Sequence, residues 1–233
     1  MSGQVKSKKR VQEHGEVFTN EREVNAMLDM VRQETERIDS RFLEPACGDG
    51  NFLAEVLRRK LAVVTSRYRK SLHEWERYCF VAVGSLYGVE LLPDNVAACR
   101  ERLYGIVEDE YRRVAKADAS PAFLEVIRFV LGRNVLNGNA LSLKAVDKDG
   151  NDTEEPIVFS EWSVVMADKV KRRDFRLDEM LEGNVDAGQT RSLFGADYSP
   201  AVDWEYDEET KSFIPKPIRE FPLTSIYEVG DAE

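Results

Sequence analysis

The sequence predicts a single α/β domain built on a mostly parallel sheet, followed by a tail. Three observations carry this. Short apolar runs, "RFLEP", "LYGVEL" and "NVLNGNAL", alternate with long amphipathic helical patterns, the order that makes parallel strands and crossover helices. The first run stops at an acid, a proline and two glycines before a helix begins, as in a ligand-holding βα turn. The 233 residues, 42% of them hydrophobic, suffice for one core with chain left over.

Residues 1–13 carry Lys6, Lys8, Lys9 and Arg10 with no apolar run behind them, and read as a disordered basic arm rather than a signal peptide. Residues 14–180 read as the folded domain. Thr19 or Asn20 can cap a helix whose apolar positions Val24, Met27, Leu28 and Val31 have helical spacing. After the first strand, "NFLAEVLRRKLAVV" puts Phe52, Leu53, Val56, Leu57 and Leu61 on one face. A helix over "HEWERYCFVAVGSL" leads to the second strand, and Pro93 opens a long helix through Val96, Cys99, Leu103, Ile106 and Tyr111. "SPAFLEVIRFVL" is one more helix before the third strand. Such alternation implies a doubly wound αβα sandwich. Past Leu141 the pattern changes: "SLKAVDKDGNDTEEPIVFSEWSVV" reads as an antiparallel β-hairpin around an Asp-Gly turn, and "RRDFRLDEML" as a short helix. Residues 181–233 read as an acidic, largely irregular tail in which "IPKPIREFPLTSIYEV" can lie extended along a surface.

Charge and composition narrow the function classes. The net charge is -10, but twelve acids against four bases lie from Leu181 onward, so the body is close to neutral. Its basic clusters remain available for phosphates, above all Lys171, Arg172 and Arg173 in "KVKRRDF", where a solvated strand end is the alternative. Three cysteines without C-x-x-C spacing and two histidines argue against a disulfide framework or a zinc site. In "DKDGND" the glycine comes fourth and no glutamate stands at the twelfth place, so a turn is expected there and no metal site. No run approaches the roughly 20 apolar residues of a membrane span, and a cytoplasmic, reducing compartment is expected.

In an open parallel sheet, ligands bind beyond the carboxyl ends of the strands, which brings Gly48 and Gly50 to a ligand. An acid closing the second strand, Glu90, is placed to accept from two vicinal ribose hydroxyls. A dinucleotide turn would read G-x-G-x-x-G; here the third place is Leu53, and Glu44 would repel a pyrophosphate while recognising a cationic amino group. S-adenosylmethionine carries such a group together with an adenosine ribose.

These motifs resemble those of the gamma-type N6-adenine DNA methyltransferases, a family that includes modification subunits of restriction-modification systems. "HGEVFT", "LEPACGDGNFL", "YGVEL" and "NGNAL" stand in the family's order from about Gly15 to Leu143. The resemblance implies a Rossmann-like S-adenosylmethionine-dependent methyltransferase core. It implies cofactor contacts from Phe18 and Thr19, from Glu44, Pro45, Ala46, Gly48, Gly50, Asn51 and Phe52 in the turn, and from Glu90 and Leu91. Asn139 stands in place of the acid that contacts the adenine ring. The family's catalytic loop, [D/N]-P-P-[Y/F/W], is absent, for the chain has no P-P dipeptide. Nearest to its place is "IVFSEWSVV", in which Glu161 or Ser160 would accept from the adenine amine while Trp162 stacks on a flipped base; the other reading is a hairpin strand with ordinary alternation. The expected function is therefore methylation of adenine in DNA. The alternative is a catalytically deficient cofactor-binding subunit acting through a partner that supplies target recognition or missing strands.

Overall fold

The computed structural model describes residue 10 and residues 19–182, 204–207 and 212–231; Phe18, the rest of the basic arm and residues 183–203 of the tail lie outside the described residues. Asn20 opens α1 (Glu21–Asp29) by accepting from the Glu23 N–H at 3.0 Å. Val24 and Leu28 are its buried residues; Met27, within the helix, and Val31, beyond its end at Asp29, are exposed where the spacing placed them inward. A short α2 (Arg32–Thr35) precedes β1 (Phe42–Glu44). Then follow α3 (Asn51–Tyr68), α4 (Leu72–Gly84), β2 (Leu86–Glu90), α5 (Pro93–Ala115), α6 (Pro121–Asn134) and β3 (Val135–Asn139). Prolines open α5 and α6, where a missing N–H costs nothing.

With β4 (Lys144–Val146) and β5 (Asp152–Pro156), these strands form one mixed α/β sheet in the order β1-β2-β3-β4-β5, parallel across the first three and antiparallel across the rest. The β4-β5 hairpin closes on the "DKDGND" turn, where the Asp147 carboxylate accepts from the N–H groups of Asp149 and Asn151. The expected reversal of winding is not found: among the described residues β1 pairs only with β2, so strand order runs one way.

Both parallel crossovers pass through helix pairs, and those helices bury Leu86 and Val135 in the main core. The opposite face is not helical as expected. Tyr87 and Val89 there meet Ile157, Phe159 and Leu177, with Tyr87 and Phe159 edge to face at 5.2 Å. Those residues belong to and flank β6 (Val158–Met166), which pairs with β7 (Lys169–Arg176). The short helix expected over "RRDFRLDEML" is confined to α7 (Leu177–Glu182), because β7 is hydrogen-bonded on both sides and the ladder overrides local preference.

Farther on, β8 (Trp204–Asp207) pairs with β9 (Ser212–Pro215). β10 (Arg219–Glu220) and β11 (Thr224–Ser225) then add to β7. Residues 215–231, which the sequence places in an irregular tail, thus join the body and bury Phe221, Ile226 and Val229. Tyr227 donates its hydroxyl to Glu76 Oε2 at 2.5 Å, and Tyr111 donates to the other oxygen of the same buried carboxylate. Among the described residues no helix is long and apolar enough to cross a membrane.

Candidate cofactor site

The carboxyl ends of β1, β2 and β3 carry Glu44, Glu90 and Asn139 at one end of the sheet, with Glu44 opposite Gly88 and Glu90 opposite Asn137 in register. Between β1 and α3 the chain turns through Gly48 (φ +54°) and Gly50 (φ +88°), conformations that cost other residues strain. Cys47 N–H donates to Val89 O at 3.0 Å, which lashes the turn to β2. A Cβ on Gly50 would lie 2.6 Å from Cys99 Sγ of α5, so this glycine is demanded by the chain's own packing. Cys47 is buried against Cys99, and that hydrogen bond together with burial pushes its thiol well above the ordinary range. It packs rather than reacts.

Glu90, 9% exposed, holds this region together. Its Oε2 accepts from the Gly48 N–H at 2.9 Å, and its Oε1 accepts from the Leu92 N–H at 2.9 Å and from Asn95 Nδ2 at 3.4 Å. The acid of the second strand is thus wired directly to the glycine turn. Glu44 is half-buried; desolvation raises its pKa against the opposing pull of a bond from the Ala46 N–H. Among the described residues no cation pairs with it. Pro45 and Ala46 are exposed beside it.

At the start of α3, Asn51 Nδ2 donates to Thr19 O at 3.0 Å, which brings Thr19 beside the turn. Phe52 is half-buried against the core. The first turn of any α-helix has N–H groups without intrahelical partners, and Gly50, the residue that caps α3, offers no side chain to them, so these donors face the turn. Leu91 is half-buried, and its carbonyl, like that of Glu90, accepts from Asn137 Nδ2. Asn139 is held otherwise than expected. Its Oδ1 accepts from the Leu141 N–H at 3.0 Å and its Nδ2 donates to Asp152 at 2.9 Å, so the amide serves its own turn.

Sequence reasoning missed several supports. Arg102 of α5 pairs with Asp49 at 2.7 Å and also reaches Asn51 Oδ1, pinning the turn from outside. No local spacing announces such a pair. Asn95 and Asn137 brace the Glu90 carboxylate and backbone; a buried Asn beside Val96 on an otherwise apolar stripe is the one signal that pointed to Asn95.

The residues proposed for chemistry on DNA stand elsewhere. Glu161 pairs with Arg41, one residue before β1 (2.6 Å), and with Arg173 (3.1 Å). Trp162 packs edge-on against Phe80 at 5.8 Å and Phe129 at 6.1 Å, and lies against Gly84, two residues before β2. Arg41 and Gly84 stand just before the amino ends of β1 and β2, and β2, at about 3.3 Å per residue, separates that end of the sheet from Glu90 by about 13 Å. This segment is a strand with ordinary alternation, but not of the hairpin expected for it: the Asp-Gly turn joins β4 to β5, whereas β6 pairs with β7; Trp162 is a core aromatic. The phosphate reading of "KVKRRDF" is likewise corrected. Arg172 is 4% exposed, bound to Asp174 and lying 4.0 Å over the Phe221 ring; Arg173 is 8% exposed and bound to Glu161; Lys171 pairs with Glu220 at 3.2 Å. Among the described residues no group of three or more His, Cys, Asp or Glu could hold a metal ion.

Compared with protein-family models, with curated proteins and with solved structures, the chain matches none.

Proposed function

We propose that the chain binds S-adenosylmethionine at the turn from Glu44 to Phe52 and follows the plan of an adenine-N6 DNA methyltransferase, with a Rossmann-like core. The observation that carries this reading is the bond from the Gly48 N–H to Glu90, which joins a glycine turn to the acid at the end of the neighbouring strand. A carboxylate has about four lone-pair positions, and Glu90 already fills three. Accepting from both ribose hydroxyls means that one bond yields. We take the Gly48 donor as the one that yields, because it comes from the turn, whereas Leu92 caps α5 and Asn95 lies in its first turn. Glu44, half-buried and with no cation paired to it among the described residues, suits the charged amino group of the ligand. Thr19, Asn51 and Phe52 border the same space.

The cofactor would supply an activated methyl group; this chain's own residues bind, orient and exclude water. A second reading has a specific observation behind it: Glu161 and Trp162 are committed to the far end of the sheet. On that reading the chain is a cofactor-binding subunit, and a partner brings the loop that polarises the adenine amine.

Calorimetric titration with S-adenosylmethionine and S-adenosylhomocysteine, beside Glu90→Ala, tests the cofactor site; a well-folded wild type that binds neither refutes it. Affinity for the cationic ligand should fall as pH drops through the raised Glu44 pKa, since protonation removes the charge that attracts the ligand, and Glu44→Gln should flatten that profile. Transfer of labelled methyl to adenine-rich DNA by the pure chain would favour the enzyme and sink the subunit reading.

A further inference from the structure

At about 1.5 Å per residue, α3 carries Tyr68 roughly 25 Å from the glycine turn, to a groove at its far end. This groove, of about 510 Å³, is lined by Gln33, Arg37, Asp39, Arg67, Tyr68 and Tyr78, among others. Tyr68 and Tyr78 stack face to face, ring centroids 3.9 Å apart and planes within 8°, with the Arg77 guanidinium 5.3 Å over Tyr78. Both rings are half-buried, so the stack lies at the surface rather than in the core.

The acids here are already matched: Asp39 pairs with Arg37 at 3.0 Å and Glu36 with Arg32 at 2.6 Å. Arg67, Arg69 and Lys70, at the end of α3, make no ion pair among the described residues. A helix macrodipole accounts for cations at a carboxyl end. It does not account for a tyrosine stack opening into a groove beside them.

We propose that this groove binds a nucleobase with its attached phosphate, the base extending the Tyr68–Tyr78 stack and the phosphate meeting Arg67. Arg69 and Lys70 then hold adjoining phosphates if the nucleotide belongs to a single strand. Every base offers a π-face, so the site is tolerant of sequence. The proposal stands whether or not S-adenosylmethionine binds at the glycine turn.

The test is fluorescence anisotropy of the full chain with a labelled oligothymidine of about ten nucleotides at about 50 mM salt, with AMP and inorganic polyphosphate as competitors. Tyr68→Ala should weaken binding about ten-fold, whereas Tyr68→Phe, which keeps the ring, should stay close to wild type. Arg67→Gln should make the salt dependence shallower by about one phosphate contact. Competition by AMP at comparable concentration assigns the groove to free nucleotides; binding by the oligonucleotide alone assigns it to a strand. The proposal is overturned if wild type binds neither the oligonucleotide nor AMP, or if Tyr68→Ala, folded by circular dichroism, binds as wild type does; displacement by polyphosphate would then assign the binding to charge alone.

Discussion

At Gly50 a single hydrogen in place of a methyl group lets the turn and α5 meet, because Cys99 Sγ occupies the space a Cβ would need. Gly50→Ala should cost roughly 1–3 kcal/mol in urea unfolding, from the positive φ and the clash together. Adding Cys99→Ala should recover only the clash part, and a double-mutant cycle without coupling would count against this account. Lys60 is the other decisive residue. Fully buried, its Nζ donates to the carbonyls of Ile38 and Ser40 and to Ser85 Oγ, none of them a counter-charge, and desolvation pulls its pKa from 10.5 to about 7. Between those two values the unfolded chain holds the extra proton, so stability should rise with pH across that window relative to Lys60→Met. A constant difference between the two proteins from below pH 7 to above pH 9 would refute the shift. Gly48 and Gly50 were legible as a βα turn and Glu90 as the acid closing the next strand because each is a local pattern; the roles of Arg102 and Lys60 were not, since their partners are far away in sequence.

At the scale of elements, the β6-β7 hairpin explains most of what sequence reading misplaced. Alternation along β6 sends Phe159 toward Tyr87 on one side and Trp162 toward Phe80 and Phe129 on the other, so the strand links both cores. A Trp beside a Glu looks like chemistry when only neighbours in sequence are visible. Trp162→Ala should cost about 3–5 kcal/mol of stability, as expected for a buried aromatic, and leave ligand titration at the glycine turn unchanged. Loss of ligand affinity without loss of stability would return Trp162 to the site. The basic run of β7 misleads for the same reason: a strand sandwiched between neighbours buries Arg172 and Arg173, and buried charges persist only when paired.

For the whole molecule, the last residues close the fold over β7 and the helices. Ile226 is fully buried among them, and Glu76 receives hydroxyls from Tyr111 and Tyr227, which joins α4, α5 and the end of the chain. Ile226→Ala should lower the unfolding free energy by about 2–5 kcal/mol, as a core substitution does. A value near zero would mean that the segment merely rests on the surface. Proline spacing hinted at an extended course, but acidity hid the apolar residues that anchor it.

The sequence by itself determined the α/β alternation, a helix start at Thr19 or Asn20 and another at Pro93, the glycine turn and the chain reversal at Asp147, because each rests on contacts a few residues apart. Only the tertiary structure decided that strand order runs one way, that a β-hairpin covers the second face, and that Glu161 and Trp162 lie at the opposite end from Glu90. Those outcomes depend on pairings between distant segments, such as Arg41 with Glu161. Their energy comes from burying and matching groups that no local pattern relates.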